Sequence, residues 1–515
     1  MWLSRKFEHR PLREYLNNPK EIGQGVASIV YESTYKGQAI AIKIFRIHPN
    51  LLMYERNLRE LIVLSREITP YLNYLVDYTI DFASNNIAYV FIKAEDLKAY
   101  RSKVSNSNLL FKQMVDLFIS NAFLQSKNII HRDIKPQNAL IKDNHSYLTD
   151  FDLARINFCQ NNENLTHPIE TVWYRAPEIM MNMRYNFKID TWSMCITFIE
   201  IMTNGLPVYG IPGEERLITP NAVFRRFVGY LGPSQKDQWL VRHWRYFSNQ
   251  DLDEYYQNYN GPLLDNEQLL NNDMKQFVRF LLVYDPDNRP SAVQTLEHPF
   301  IRPHLGNFNI NSVNLNCQQK AMTYNYYPTF NWPIVMKNMQ NINYSNKDAY
   351  KYRYLISQQF DSLTKDARVK ILMLYLLDRL VELNFKLSND VSILNYTIKY
   401  IHYIADSMYE TLFTTEPEKL LNEQNSDRQS QILKLFRDII YTLDGDLIFS
   451  SAYDFWETYN SDKDEDEKIR HANLMFELQQ THLAFNYTPY DLYNTYVNNP
   501  DLIRNEMVKF QQNLI

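Results

Sequence analysis

Three features in the first sixty residues have the chemistry to hold a phosphorylated ligand. Gly23-Gln24-Gly25-Val26-Ala27-Ser28-Ile29-Val30 places two glycines one residue apart, which lets a backbone turn approach an anion closely. By itself this pattern fits a plain β-turn equally well. It gains force from Ala41-Ile42-Lys43 on the next apolar run, because a lysine there can reach phosphates lying under the loop. Glu60 is the candidate partner for Lys43, with Glu55 and Glu67 as alternatives. Further on stand His131-Arg132-Asp133-Ile134-Lys135-Pro136-Gln137-Asn138 and Thr149-Asp150-Phe151-Asp152. Phosphoryl transfer needs a cradle for the phosphates, a lysine on them, metal ligands and a carboxylate aimed at the acceptor hydroxyl. Residue types for each part occur here in the right order.

Positioning such groups takes strands first and helices later. EIGQGVASIVYES and AIAIKIF alternate as strands do, and the polar turn Tyr35-Lys36-Gly37-Gln38 between them predicts a hairpin. Leu58, Leu61, Ile62 and Ser65 recur at helical spacing, and Ile87 to Ile92 is another short apolar strand. From about residue 108 helical patterns dominate, as in LLFKQMVDLFISNAFLQ and DTWSMCITFIEIM. That order predicts a small β-rich lobe followed by a larger helical one.

The helical pattern breaks after HPFI. RPHLGNFNINSVNLNCQQ is polar, carries Pro303 and Gly306, and has the composition of a linker. Beyond it ARVKILMLYLLDRLVELNFKLS is apolar over most of a helical circumference, the pattern of a central bundle helix. The expected organisation is an N-terminal extension over 1–17, a two-lobed domain over 18–302, a linker over 303–340 and an all-α domain over 341–515.

Composition narrows the setting. With 515 residues, 45% of them hydrophobic, the chain has ample material for two or more cores. A net charge of −5 gives no overall basic field, so nucleic-acid binding is not expected. Cys159, Cys195 and Cys317 form neither a CxxC pair nor a disulfide framework, which suits a reducing compartment. No signal-peptide pattern or run of about 18 apolar residues occurs. The expectation is an intracellular protein, cytoplasmic or nuclear, that does not enter a membrane. The 38 tyrosines against 11 glycines, with abundant asparagine, are the bias of an AT-rich genome such as that of a large DNA virus or a protist.

His131 to Asn138 resembles the catalytic loop of the protein kinase family at every fixed position, and Ala176-Pro177-Glu178 resembles the end of that family's activation segment. The resemblance runs from about residue 18 to 302. It implies an α+β bilobal kinase fold, with ATP and Mg2+ as cofactors and protein substrates as partners. It further implies that Asp133 takes the hydroxyl proton, Lys135 steadies the γ-phosphate, and Asn138 and Asp150 hold magnesium. Lys43 and Glu60 would form an ion pair, and Arg289 would be the partner of Glu178. Ile22, Gly23, Gly25, Ser28, Val30, Ala41, Lys43, Asp96 and Leu140 would surround the nucleotide, with Asp96 near the ribose. Lys135 together with Thr171 resembles the serine/threonine class rather than the tyrosine class.

The finer resemblance is to cyclin-dependent kinases, carried by TVWYRAPE, FRRFVGYLGPSQKDQW and DPDNRPSAVQTLEHPF. It places Thr166 where that branch carries its activating phosphothreonine, with Arg59, Arg132 and Arg155 converging on the phosphate; guanidinium forks suit a doubly charged oxyanion. Pro168 and Glu170 depart from the pattern near the pocket that reads a proline after the target residue. Leu376–Ser388 resembles the first helices of a cyclin box, and Leu435–Tyr459 its last helix and the exit strand; periodicity alone fits any amphipathic bundle. A cyclin tethered by some 20 to 40 residues would act at an effective concentration of about millimolar. The alternative partner is an external cyclin.

Asp152 stands where the family's Asp-Phe-Gly triplet has glycine. Aspartate tolerates unusual dihedrals, so the expected cost lies in charge. A second carboxylate roughly 6 Å from the first costs about 2–3 kcal/mol at an effective dielectric near 20. Lys43, Asp133, Asn138 and Asp150 are all retained, which favours an active enzyme. The alternative is a catalytically weak or inactive kinase-shaped scaffold that recruits partners through its helical C-terminal domain.

Overall fold

The computed structural model describes residues 7–25, 28–46, 52–66, 71–73, 75–81, 86–156, 171–205, 219–232, 238–244, 263–314, 354–383, 385–387, 390–409, 426–444, 463, 465–480 and 489–499, with isolated positions beyond. By packing they fall into two compact units. One holds the N-terminal sheet, its helix and the C-terminal helices; the other holds the residues between.

The sheet comprises β1 (Lys20–Gln24), β2 (Ser28–Tyr35) and β3 (Gln38–Arg46), then, after helix α1 (Leu52–Arg66), β4 (Leu75–Asp81) and β5 (Asn86–Ile92). All its pairings are antiparallel, in the order β1-β2-β3-β5-β4. The β2–β3 connection is the expected two-residue turn. Lys36 and Gly37 both have positive φ, 48° and 78°, which is type I′ geometry and explains the glycine. Alternation in AIAIKIF then sorts side chains by face. Ile40 and Ile42 join Ala88, Val90 and Tyr15 in a core that Leu12, Leu16 and Ile44 flank. Ala41, Lys43 and Phe45 take the opposite face, where their cross-strand partners are Phe91, Tyr89 and Ile87.

The middle unit carries β6 (Glu95–Asp96), α2 (Leu97–Lys103), α3 (Ser107–Ser126), β7 (Ile129–Ile130), β8 (Ala139–Lys142), β9 (His145–Leu148), β10 (Arg155–Ile156), α4 (Pro177–Met180) and α5 (Lys188–Thr203). After these come α6 (Pro220–Leu231), α7 (Gln238–His243), α8 (Leu263–Asn266), α9 (Asn272–Leu281) and α10 (Ala292–Glu297). Helices α3 and α5 are apolar nearly all round because both are central. They pack on each other, with Phe118, Phe198 and Phe277 meeting edge-on or tilted between them and α9. Ser291 and Gln294 form a reciprocal capping box that starts α10.

The described residues of the C-terminal region form the helices α11 (Ala367–Glu382), α12 (Val391–Tyr409), α13 (Ser426–Leu443), α14 (Glu465–Gln480) and α15 (Pro489–Asn498). As the apolar run ARVKILMLYLLDRLVE predicts, α11 is buried around most of its surface and packs against α12, α13 and α14. Tyr400 of α12 stacks on Phe436 of α13 with centroids 3.9 Å apart. Lys370 of α11 is buried, pairs with Asp361 and lies over the Phe476 ring. Within the same compact unit α12 packs against α1, the helix that carries Glu60. The α+β order of a β-rich region, a helical region and an all-α C-terminal region is the expected fold class. No helix among the described residues is long and apolar enough to cross a membrane.

Candidate active site

In the sheet unit, Lys43 Nζ lies 3.0 and 2.8 Å from the two carboxylate oxygens of Glu60. The Glu60 side chain is fully enclosed, so the pair exchanges hydration for a charge-assisted bond. Cross-strand from Lys43, Tyr89 donates its hydroxyl to the Asn57 carbonyl of α1 at 2.5 Å, which fixes that helix to the sheet one turn before Glu60. Gly23 and Ile22 lie on β1, with Ile22 exposed. The Gly25 N–H donates to the Ser28 carbonyl at 2.8 Å, closing the loop, and a Cβ on Gly25 would crowd the Ser28 hydroxyl at 3.2 Å. Val30 and Ala41 lie on β2 and β3. Val26 and Ala27 are outside the described residues.

In the middle unit, four expected residues form one hydrogen-bonded group around the Asp133 carboxylate. Lys135 Nζ donates to Asp133 Oδ2 at 2.6 Å and to the Thr171 hydroxyl at 3.0 Å. Thr171 donates its backbone N–H and its hydroxyl to Asp133 Oδ1, at 3.2 and 3.1 Å. The Asn138 amide donates to the Asp133 carbonyl at 2.9 Å and to Oδ2 at 2.8 Å. Thr171 thus accepts from the lysine while donating to the aspartate, as a hydroxyl can. These bonds orient the carboxylate of a residue that is only 7% exposed.

The loop carrying Asp133 is held from below. Asp190, buried at the start of α5, accepts the backbone N–H groups of His131 and Arg132 at 2.7 and 2.9 Å. Burial raises the Asp190 carboxyl above its ordinary range, against the lowering effect of His131 and of those bonds. His131 Nδ1 accepts from the Asp133 N–H at 3.3 Å, which assigns the ring proton to Nε2, 3.0 Å from the Thr149 carbonyl. Arg132 has φ of 69°, and its guanidinium donates to the Leu153 carbonyl and the Tyr185 hydroxyl.

Asn138 and Asp150 lie near each other because the Thr149 N–H donates to the Asn138 carbonyl at 3.0 Å. With the amide nitrogen of Asn138 committed to Asp133, its oxygen remains as an acceptor, and Asp150 adds a carboxylate. These hard oxygen donors fit a magnesium ion whose other ligands are phosphate and water. Asp150 is the strained residue of the turn, with φ of 66°. Asp152 is not among the positive-φ residues, so this position makes no conformational demand for glycine.

Asp96 is the N-cap of α2, accepting the Ala99 N–H at 2.8 Å, and is paired across strands with Leu140. Glu178 and Arg289 form a buried bidentate pair at 2.6 and 2.9 Å, with the guanidinium over the Trp192 ring. Arg155 and Arg132 are both buried in this unit, and Arg59 lies on α1 in the other. Thr166, Pro168 and Glu170 lie outside the described residues.

A family model described as a protein kinase domain matches residues 16–301, more than half of the chain. The chain belongs to the protein kinase family. The kinase therefore uses ATP and transfers phosphate to proteins. Sequence reading missed two of its supports, the Tyr89–Asn57 bond and an N-terminal hub at Asp77. That buried carboxylate accepts the N–H groups of His9 and Arg10 and the Tyr15 hydroxyl. Neither has a motif, because each joins segments far apart in the chain.

Proposed function

We propose that this kinase is a serine/threonine kinase of the cyclin-dependent type, activated within its own chain by the C-terminal helices. The observation that carries the serine/threonine assignment is the Asp133–Lys135–Thr171 group. A lysine two residues after the catalytic aspartate, bonded to both it and a threonine, leaves the γ-phosphate and an alkyl hydroxyl as its natural targets. Asp133 accepts the hydroxyl proton, Lys135 steadies the γ-phosphate, and Asn138 and Asp150 hold Mg2+.

Activation in cis is supported by the packing of α12 on α1, the helix whose Glu60 is paired with Lys43. Holding α1 inward keeps Lys43 oriented for the nucleotide phosphates. Phosphorylation of Thr166, read by Arg59, Arg132 and Arg155, adds a second level of control. The test is transfer of labelled phosphate from ATP to a generic basic protein, with serine and threonine peptides compared to tyrosine ones. Full-length protein should phosphorylate serine or threonine without an added partner, and Asp133→Asn should lose about 10²–10⁴-fold in kcat while still binding ATP. A silent full-length chain that binds ATP with magnesium and responds to an added cyclin would overturn activation in cis; transfer to tyrosine would overturn the class.

A further inference from the structure

His9 joins three parts of the sheet unit. Its backbone, at φ of 52°, turns the His9 and Arg10 N–H groups onto Asp77 of β4. Its ring stacks on Tyr441 of α13 with centroids 4.1 Å apart and planes at 13°, and meets the Tyr78 ring edge-on at 4.6 Å. Nδ1 is 3.3 Å from the Tyr78 carbonyl and Nε2 is 3.3 Å from Asp444 Oδ1, just beyond α13.

Tyr441 completes the contact. β4 is an edge strand, whose outward backbone groups need partners. The Ile80 N–H donates to the Tyr441 hydroxyl at 2.8 Å, and that hydroxyl in turn faces the Ile80 carbonyl at 3.4 Å. One tyrosine thus takes the place of a neighbouring strand at this residue. Buried Tyr78 extends its own hydroxyl towards the Ile440 carbonyl and Asp444, at 3.5 and 3.4 Å.

We infer that residues 7–15 are a clasp that docks the C-terminal helices onto the kinase sheet, with His9 and Tyr441 as positioning residues for α1. The clasp is a second attachment, separate from the packing of α12 on α1. It reaches α1 through Tyr78, which meets Tyr89 edge-on at 6.5 Å, and through the Tyr89 hydroxyl on the Asn57 carbonyl. A stretch outside the matched kinase domain thereby sets how firmly Glu60 is held. This rests on the proposal that the C-terminal helices hold α1 for catalysis.

The test is amide hydrogen exchange on the full-length chain, combined with kcat and KM for ATP, in three variants. His9→Asn keeps a residue that tolerates positive φ and removes the ring. Tyr441→Ala removes ring and hydroxyl, and Tyr441→Phe restores the stack alone. The clasp predicts exchange about 3–10-fold faster in β4, α13 and α1 for His9→Asn and Tyr441→Ala, with α5 unchanged. Tyr441→Phe should recover α13 and α1 while leaving the Ile80 region fast. Unchanged α1 and α13 in both ring-removing variants would overturn the clasp, as would equal acceleration in α5, which is general destabilisation. Faster α1 exchange with unchanged kcat would leave the clasp standing and overturn activation by the helices.

Discussion

Thr171 meets the Asp133 carboxylate twice, through its backbone N–H and its hydroxyl, both on Oδ1. The second bond also gives Lys135 a hydroxyl oxygen to lean on. Removing the hydroxyl leaves Asp133 its bonds from Lys135, Asn138 and the Thr171 N–H but takes one restraint from each of the two side chains. Thr171→Val should therefore lower kcat by about 10–100-fold with little change in KM for ATP, a fraction of the general-base contribution. Thr171→Ser should restore most of it. Steady-state kinetics on the three proteins checks this.

Glu60→Gln replaces the ionised partner of Lys43 by a neutral amide of the same shape. Hydrogen bonds to charged groups contribute about 1.5–3 kcal/mol, so ATP affinity or kcat should fall about 10-fold or more. Nucleotide titration beside a transfer assay separates the two. An unaltered enzyme would mean that the pair is only a fold contact.

Arg289 and Glu178 are both fully enclosed and bonded through two parallel N–H groups. Arg289→Ala strands a buried carboxylate, and loss of one partner of such a pair costs about 3–5 kcal/mol. Urea unfolding should show that loss directly. Arg289→Lys should recover only part of it, because one ammonium cannot reproduce the fork or its stacking over Trp192.

His402 lies inside α12, and burial lowers its pKa to about 4. Above pH 6.5 the ring is neutral in both folded and unfolded chains and stability does not depend on it. As pH falls below 6.5 the unfolded chain takes up a proton that the folded one refuses. Stability then drops, by about 3 kcal/mol by pH 4. Unfolding midpoints between pH 7 and 4 should follow that slope, and His402→Phe should flatten it if the ring fills the same space.

The group around Asp133 was legible in the sequence as far as it is local. Asp133, Lys135 and Asn138 sit within six residues, and the turns that aim them follow from their own dihedrals and short-range bonds. The β2–β3 hairpin declared itself through Lys36-Gly37, and α11 through its wide apolar circumference. Asp152 was harder to weigh: the identity of the residue was visible, but only the backbone showed that Asp150 carries the positive φ.

What only the tertiary structure decided is how distant segments meet. In the sequence residues 1–17 read only as an extension, because Phe7, His9 and Tyr15 follow neither the strand nor the helix period. Folding gives His9 and Tyr15 the Asp77 carboxylate, sets Phe7 and His9 against Tyr78 and stacks His9 on Tyr441, 62 to several hundred positions away. The same holds for α12 on α1 and for Tyr89 on Asn57. The sequence alone determined that Asp133, Lys135 and Asn138 stand together, since they are written within one short loop. Which helix packs on the one that carries Glu60 was decided by burial of faces, and which ring meets β4 by closing of a strand edge; neither leaves a pattern in the order of amino acids.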